Sequence, residues 1–252
     1  MCLVNFQYKD HPKYKLVLAA NRDEFYNRPT EPAHFWKDAP ALLAGRDLMQ
    51  MGTWLGVAKN GRIAALTNFR DPSMPEANKI SRGAIVRDFL TSDMEPQLFL
   101  ESLIPENYTG FNILVGDADH LYYYNNIENC ITEIEPGIHG LSNHLLNTPW
   151  PKVIKGKNYL ERYLSEHEEV AVDDLFSFLA DSEQADDSAL PETGIGIEFE
   201  RMLSSMFIKT PEYGTRSATV VLIDNNNHVT FVERVYEKGL FKEQNVFEFD
   251  VE

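Results

Sequence analysis

The second residue of the chain is a cysteine, and its position gives it a specific chemical opportunity. Removal of the initiator methionine is permitted when the next side chain is small, which would leave Cys2 as the first residue. A terminal cysteine combines a thiol of reference pKa about 8.5 with an α-amine of pKa about 8, so it carries a nucleophile and a base together. Cys2 is therefore a candidate nucleophile, with a small buried strand residue as the alternative.

A charged segment follows the apolar stretch at residues 14–20, and it consists of Asn21, Arg22, Asp23 and Glu24. A hairpin partner of the first strand would end here, close to the start of the chain. A guanidinium beside a thiol stabilises the thiolate, and a carboxylate can hold the terminal ammonium or receive its proton. The alternative interpretation is an exposed charged turn with surface ion pairs.

Three further polar residues stand at the ends of predicted strands. Asn68 and Asn143 each end a short apolar stretch, where a side-chain amide can donate to a developing oxyanion. Asparagine at such a place is otherwise a turn former. Arg216 opens a late strand and would enter the same site if that strand lay beside the first, and its alternative is an exposed arginine at a strand start.

Several classes of function are disfavoured by composition and motif content. The net charge of −16 argues against a nucleic-acid partner, because such partners are held by Lys and Arg. The seven histidines form no zinc-binding pattern, and phosphate-binding glycine loops are absent. We therefore expect no metal and no cofactor, and a small-molecule substrate or hydrophobic ligand as the partner.

Hydrophobic periodicity predicts strands at both ends of the chain and helices in the middle. The predicted strands cover residues 2–6, 14–20, 55–58, 62–67, 111–116, 120–125, 217–223 and 228–235. The predicted helices cover residues 81–90, 150–164 and 197–207. This order favours a layered α+β arrangement. No repeat or linker divides the chain, so we expect a single domain over residues 1–252.

One segment is strongly acidic: residues 165–192 contain ten Asp or Glu and no Lys or Arg. Its apolar positions Val172, Leu175, Phe176 and Leu179 repeat with helical spacing, which predicts a solvated helical excursion with one buried face. A scaffold role for this acidic surface is the alternative.

The N-terminal sequence lacks the basic segment of a secretory signal, and no apolar run reaches the ~18 residues of a membrane span. Two cysteines are too few for a disulfide framework. The expectation is a cytoplasmic protein, and its oligomeric state is not predicted.

The motifs as a set resemble those of a known family. They are MCLVNF at the start, residues 21–25, 45–47, 52–56, 67–70, 141–143 and 214–219. This combination resembles the NRDE family, also called the transport and Golgi organisation protein 2 family. That family is similar in fold to cysteine-type N-terminal-nucleophile hydrolases such as bile-salt hydrolases and penicillin V acylase. The resemblance implies a four-layer αββα sandwich of two antiparallel sheets.

The resemblance also implies roles for individual residues. It suggests Cys2, Asp23, Asn68, Asn143 and Arg216 as catalytic residues. Asn21, Arg22 and Glu24 are expected to bind substrate. The acylases typically place two residues between arginine and aspartate, whereas Arg22 and Asp23 are adjacent here and would point in opposite directions on extended chain.

Two functional hypotheses follow. The first is an amidohydrolase or acyltransferase that attacks a linear amide or acyl-thioester through Cys2. The second is a non-catalytic protein that binds a hydrophobic ligand such as haem or an acyl chain, which an aromatic content of 12% permits.

Overall fold

The computed structural model describes residues 2–74 and 79–252. Met1, whose excision is expected above, lies outside these residues. Within them the chain forms thirteen strands. They are β1 (Cys2–Tyr8), β2 (Tyr14–Phe25), β3 (Thr30–Trp36), β4 (Ala39–Asp47), β5 (Leu55–Ala58), β6 (Ile63–Asn68), β7 (Phe111–Gly116), β8 (Leu121–Asn125), β9 (Cys130–Glu133), β10 (Gly137–Leu141), β11 (Tyr213–Asp224), β12 (His228–Glu237) and β13 (Leu240–Asp250).

The described residues also form five α-helices. They are α1 (Gly83–Thr91), α2 (Pro96–Glu101), α3 (Pro151–Glu166), α4 (Val172–Leu179) and α5 (Ile197–Met202). The strands make two antiparallel sheets, one in the order β10-β1-β2-β11-β12-β13 and one in the order β3-β4-β5-β6-β7-β8-β9. The predicted pairing of early and late strands is present, because β11 lies beside β2.

Three hydrophobic clusters show how the layers stack. One fills the space between the two sheets. A second packs α3 and α4 onto the outer face of the first sheet, and a third packs α1 and α2 onto the outer face of the second. The layers are therefore helix, sheet, sheet and helix, which confirms the predicted αββα sandwich.

Side-chain alternation along β1 and β2 assigns each residue to a layer. Even-numbered residues such as Val4 and Leu18 point into the space between the sheets. Odd-numbered residues such as Leu3 and Val17 point toward the helices. Continuing the alternation directs the Cys2 side chain toward the space between the two sheets.

Some elements differ from the sequence prediction. The strands β3, β4, β9, β10 and β13 are additional, and the helix predicted over residues 197–207 ends at Met202. In the acidic segment at residues 165–192, α4 buries Leu175, Phe176 and Leu179, and a short 3-10 turn occupies Asp187–Ala189. Among residues 2–74 and 79–252, no helix has the length and apolar character needed to cross a membrane.

Candidate functional site

A cavity of about 530 Å³ lies at the edge where the two sheets meet. Its lining includes Cys2 and Arg22 from the first sheet and Asn68 from the second. Glu24 and Arg216 also line it. Asp23 is also part of the lining, so the fold brings six of the residues selected from the sequence to one cavity.

Cys2 begins β1 and pairs with Arg22 in the register of the β1–β2 hairpin. It is 9% exposed. Burial raises the pKa of the Cys2 thiol, and the negative charge of Asp23 raises it further. The Arg22 charge and a backbone hydrogen bond from Asp23 lower this pKa. The thiol therefore depends on nearby cations to form a thiolate.

Arg22 and Asp23 occupy different surroundings, as their adjacency on a strand requires. Arg22 is half-buried, and within the described ranges its guanidinium makes no hydrogen bond or ion pair. Asp23 is 2% exposed, and its Oδ1 accepts a 2.7 Å hydrogen bond from Thr215 Oγ1. Tyr213 donates its hydroxyl to the Asp23 carbonyl. Burial raises the pKa of the Asp23 carboxyl.

The two asparagines selected as oxyanion donors are connected to each other. Asn143 is fully buried, and its Nδ2 donates to the Asn68 carbonyl over 2.9 Å. The Ser142 hydroxyl lies within hydrogen-bond distance of the Cys2 carbonyl (3.1 Å) and Asn143 Oδ1 (3.2 Å). Asn68 lines the cavity, and its side-chain amide has no hydrogen-bond partner in the described chain. Asn143 is absent from the cavity lining.

Arg216 is the extra residue of a β-bulge in β11, because Thr215 pairs with Asp23 and Ser217 pairs with Arg22. A bulge redirects a side chain relative to regular strand alternation. The redirected guanidinium donates to the carbonyls of residues 25, 26 and 28. Arg216 therefore braces the segment that follows β2.

Glu24 and Asn21 are both used in local contacts. Glu24 Oε2 lies 3.8 Å from Arg28 Nε, and Arg28 forms a 2.5 Å ion pair with Asp47 at the cavity. Asn21 is fully buried on the helix side of the sheet, where its Nδ2 donates to the carbonyls of Leu179 and Met206. Asn21 thus anchors the helical layer and does not line the cavity.

Four charged residues that sequence reasoning did not select are buried at or near the site. Glu233 lines the cavity and accepts a 2.6 Å hydrogen bond from the Ala33 N–H. Burial raises the pKa of Glu233 to about 7. Arg70 and Glu200 form a buried ion pair at 2.6 Å. Lys152 of α3 is 2% exposed.

Of these four residues, Arg70 alone lies in a motif noted above, since it ends the 67–70 segment. Lys152 follows a proline at a helix start, and Glu200 lies in the helix predicted over residues 197–207. Their burial arises from contacts between distant parts of the chain.

A metal site is not evident in the part of the chain that the structure describes, where no group of three or more His, Cys, Asp or Glu side chains could hold an ion. Cys2 and Cys130 are both free. The side chains that line the cavity include a thiol, arginines, lysines, carboxyls and amides.

The chain has the fold of the N-terminal-nucleophile hydrolases. A conjugated bile acid hydrolase mutant from Clostridium perfringens superposes over 99% of this chain and 97% of its own, with a TM-score of 0.54 and 10% identity. The Caenorhabditis elegans orthologue of N-acylethanolamine-hydrolyzing acid amidase superposes over 87% and 92%, with a TM-score of 0.52 and 10% identity. At these identities the likeness concerns the fold.

The chain belongs to the Transport and Golgi organisation 2 family, whose model matches residues 1–238. It is 38% identical to the Bos taurus Transport and Golgi organization protein 2 homolog, over 93% of this chain and 92% of that protein. It is 35% identical to the Homo sapiens homolog over the whole of both chains. The family predicted from the sequence motifs is thereby confirmed.

Proposed function

We propose that this protein is an amidohydrolase or acyltransferase that attacks a linear amide or an acyl-thioester through Cys2. The observation that carries the proposal is the position of Cys2, at the start of a central strand and in the lining of the cavity beside Arg22 and Asn68. The N-terminal-nucleophile fold supports it, since the two solved structures of similar fold are a hydrolase and an amidase by name.

The proposed reaction begins with removal of Met1, which frees the α-amine of Cys2. The thiol proton moves to this amine, and the sulfur forms a bond to the substrate carbonyl carbon while the π electrons move to oxygen. Collapse of the tetrahedral intermediate breaks the C–N or C–S bond, and the leaving group takes the proton from the ammonium. Water or a second nucleophile then releases the acyl group from the thioester.

The surrounding residues have corresponding tasks in this proposal. The unpaired amide of Asn68 donates to the oxyanion, and Asn143 holds Asn68 in place through its carbonyl. The Arg22 guanidinium favours the thiolate from the neighbouring strand. Asp23 holds the terminal ammonium from the helix side. Arg216 and Glu24 shape the cavity rim through the segment after β2.

The charge of the cavity indicates what kind of substrate it takes. Its described lining contains eight Arg or Lys and six Asp or Glu, whereas the whole chain has 23 and 39. A locally positive cavity in an acidic protein attracts negatively charged ligands. We therefore propose an acylated substrate whose other end carries a carboxylate or phosphate.

The second candidate is a carrier of a hydrophobic ligand such as haem or an acyl chain. It accounts for the size of the cavity and for Trp54 in its lining. The described lining has no histidine or methionine, so Cys2 is the sulfur or imidazole ligand it could offer to a haem iron. The prevalence of charged residues favours the enzyme over the carrier.

The test is acylation of the purified protein. Incubation with a panel of N-acyl amides and acyl-thioesters is expected to give product and an acyl adduct on Cys2 by intact and peptide mass. Cys2→Ala keeps a small second residue, so methionine removal is preserved while the nucleophile is lost. Cys130→Ala is the matched control, because Cys130 is exposed on β9. Turnover by Cys2→Ala equal to that of the unmodified protein would refute the mechanism.

Two measurements separate the remaining alternatives. Intact mass must show loss of Met1, since a retained methionine blocks the amine that the reaction requires. A haem titration must show no spectral change that depends on Cys2. We also propose a cytoplasmic location, because both cysteines are free and a reactive thiol persists in a reducing compartment.

A further inference from the structure

Lys152, the second residue of α3, is a buried lysine behind the cavity. It is 2% exposed, and its Nζ makes no hydrogen bond in the chain as described, residues 2–74 and 79–252. Burying an ammonium without hydrogen bonds is costly unless a negative charge faces it. The groups that surround Lys152 therefore decide what its charge does.

Charged groups act on Lys152 from four elements or segments. Asp23 of β2 and Cys2 of β1 act on its charge from the sheet, Glu200 acts on it from α5, and Arg70 acts on it from the segment after β6. Burial lowers the pKa of Lys152 to about 8, and Arg70 lowers it as well. The negative charges of Asp23, Cys2 and Glu200 oppose this shift and favour the ammonium.

The arrangement of layers places Lys152 and Asp23 on the same side of the first sheet. Asp23 points to the helix side of the sheet, as Asn21 does two residues earlier. The helix α3 packs across β1 and β10 on this same side. Arg70 and Glu200 neutralise each other in their 2.6 Å ion pair. Apart from this ion pair, the charges that act on Lys152 are those of Asp23 and Cys2.

We propose that Lys152 is a positioning residue of the Cys2 site, whose buried ammonium keeps the Asp23 carboxylate ionised at neutral pH. Burial alone favours a neutral Asp23, which could neither hold the terminal ammonium nor accept its proton. Lys152, the hydrogen bond from Thr215 and Arg22 oppose that effect of burial. The task given to Asp23 rests on the proposed function, whereas the coupling between Lys152 and Asp23 does not.

The experiment follows the ionisation of Asp23 by NMR in protein with ¹³C-labelled aspartate carboxyl groups, with the Asp23 signal assigned through Asp23→Asn. Lys152→Met removes the charge and keeps a similar volume. We expect it to raise the apparent pKa of Asp23 by roughly one to three units. Lys152→Arg should retain the unmodified titration. Lys155→Met is the matched control on the same helix, because Lys155 pairs at the surface with Asp181 and Glu183.

A folded Lys152→Met protein with an unchanged Asp23 titration would overturn the inference. If Lys152→Met does not fold, the inference is tested from the other residue of the pair. Asp23→Asn must then lower the pKa of Lys152, measured by NMR in protein with ¹³C-labelled lysine. An unchanged Lys152 titration in folded Asp23→Asn would also overturn it. Neither titration needs turnover, so an inactive protein that shows the coupling would refute the proposed function and leave this inference standing.

Discussion

The side-chain amide of Asn143 donates a 2.9 Å hydrogen bond to the backbone carbonyl of Asn68. Asn143 follows the edge strand β10 of the first sheet, and Asn68 ends β6 of the second sheet. The Asn143 carbonyl in turn accepts from the Arg70 N–H, and Thr67 Oγ1 donates to the Ser142 carbonyl. These bonds join the two sheets beside the cavity.

This relationship predicts that substitution of Asn143 lowers stability, whereas substitution of Asn68 lowers activity. Asn143→Ala removes a buried donor and leaves the Asn68 carbonyl without it, so we expect a loss of about 1 to 3 kcal/mol in the free energy of unfolding by urea. Asn68→Ala removes an amide without a hydrogen bond in the described chain and should change stability by less than about 0.5 kcal/mol. Under the proposed function, Asn68→Ala lowers kcat by roughly 100-fold to 1000-fold. Equal destabilisation by both substitutions would contradict this assignment.

The ion pair between Arg70 and Glu200 gives a second prediction. The two side chains are 8% and 3% exposed. Arg70→Met leaves the Glu200 carboxylate buried without that partner, so we expect the free energy of unfolding to fall by about 3 to 5 kcal/mol. The double variant Arg70→Met with Glu200→Gln should recover a large part of this loss.

The control for that prediction is Arg201→Met. Arg201 forms exposed ion pairs with Asp187 and Glu198, and exposed pairs contribute little to stability. Urea unfolding at neutral pH measures all of these variants. If adding Glu200→Gln to Arg70→Met does not restore the free energy of unfolding, the loss has another origin. One such origin is the cation–π contact of Arg70 with Trp150 at 4.7 Å.

The sequence predicts the β1–β2 hairpin, because both strands are apolar and their periodicity is strong. The strand β2 differs from the prediction in that it continues through the charged segment to Phe25. That hairpin carries Cys2, Arg22 and Asp23, so a large part of the site follows from local pattern. The strand β13 was missed because it is an edge strand whose residues alternate between half-buried and exposed, with charges on the exposed face. Edge strands of this kind lack the continuous apolar run of central strands.

The remaining parts of the site depend on contacts across the fold. Lys152 reads as a surface lysine in the first turn of an amphipathic helix, and its burial results from the packing of α3 on the sheet. Asn21 looks like a member of the charged segment, yet the alternation of the strand turns it toward the carbonyls of Leu179 and Met206. Local sequence gives no information on which helix covers which face.

Glu233 predicts a dependence of stability on pH. Burial raises its pKa to about 7 from the reference of 4.5, against the opposing effects of the Ala33 N–H and Arg22. The folded state therefore binds this proton more tightly than the unfolded state. Its contribution to stability is fully present below about pH 4.5 and is lost as the pH rises through about 7.

The variant Glu233→Gln keeps an oxygen that can accept from the Ala33 N–H and removes the titration. We expect the stability of the unmodified protein to fall between pH 5 and pH 8, relative to the variant, by up to about 3 kcal/mol. Urea unfolding of both proteins across this range measures the difference. Parallel stability curves for the two proteins would contradict a raised pKa at Glu233.

Gly156 of α3 gives the last prediction, because a Cβ at this position would lie 2.1 Å from Oδ1 of Asn5 on β1. Alanine normally stabilises a helix by about 1 kcal/mol relative to glycine. Here the clash with a fully buried side chain should outweigh that gain, since overpacking costs about 1 to 3 kcal/mol. Gly156→Ala should therefore lower the free energy of unfolding.

Asn5 makes no side-chain hydrogen bond in the described structure, so Asn5→Ala removes the clashing side chain without breaking a hydrogen bond. A double-mutant cycle should show a favourable coupling of at least about 0.5 kcal/mol, whereas strict additivity would mean that α3 does not dock on β1 through this contact. The same variant connects docking to the site: if α3 lifts from β1, Lys152 moves away from Asp23, and the Asp23 titration should shift in Gly156→Ala and return in the double variant.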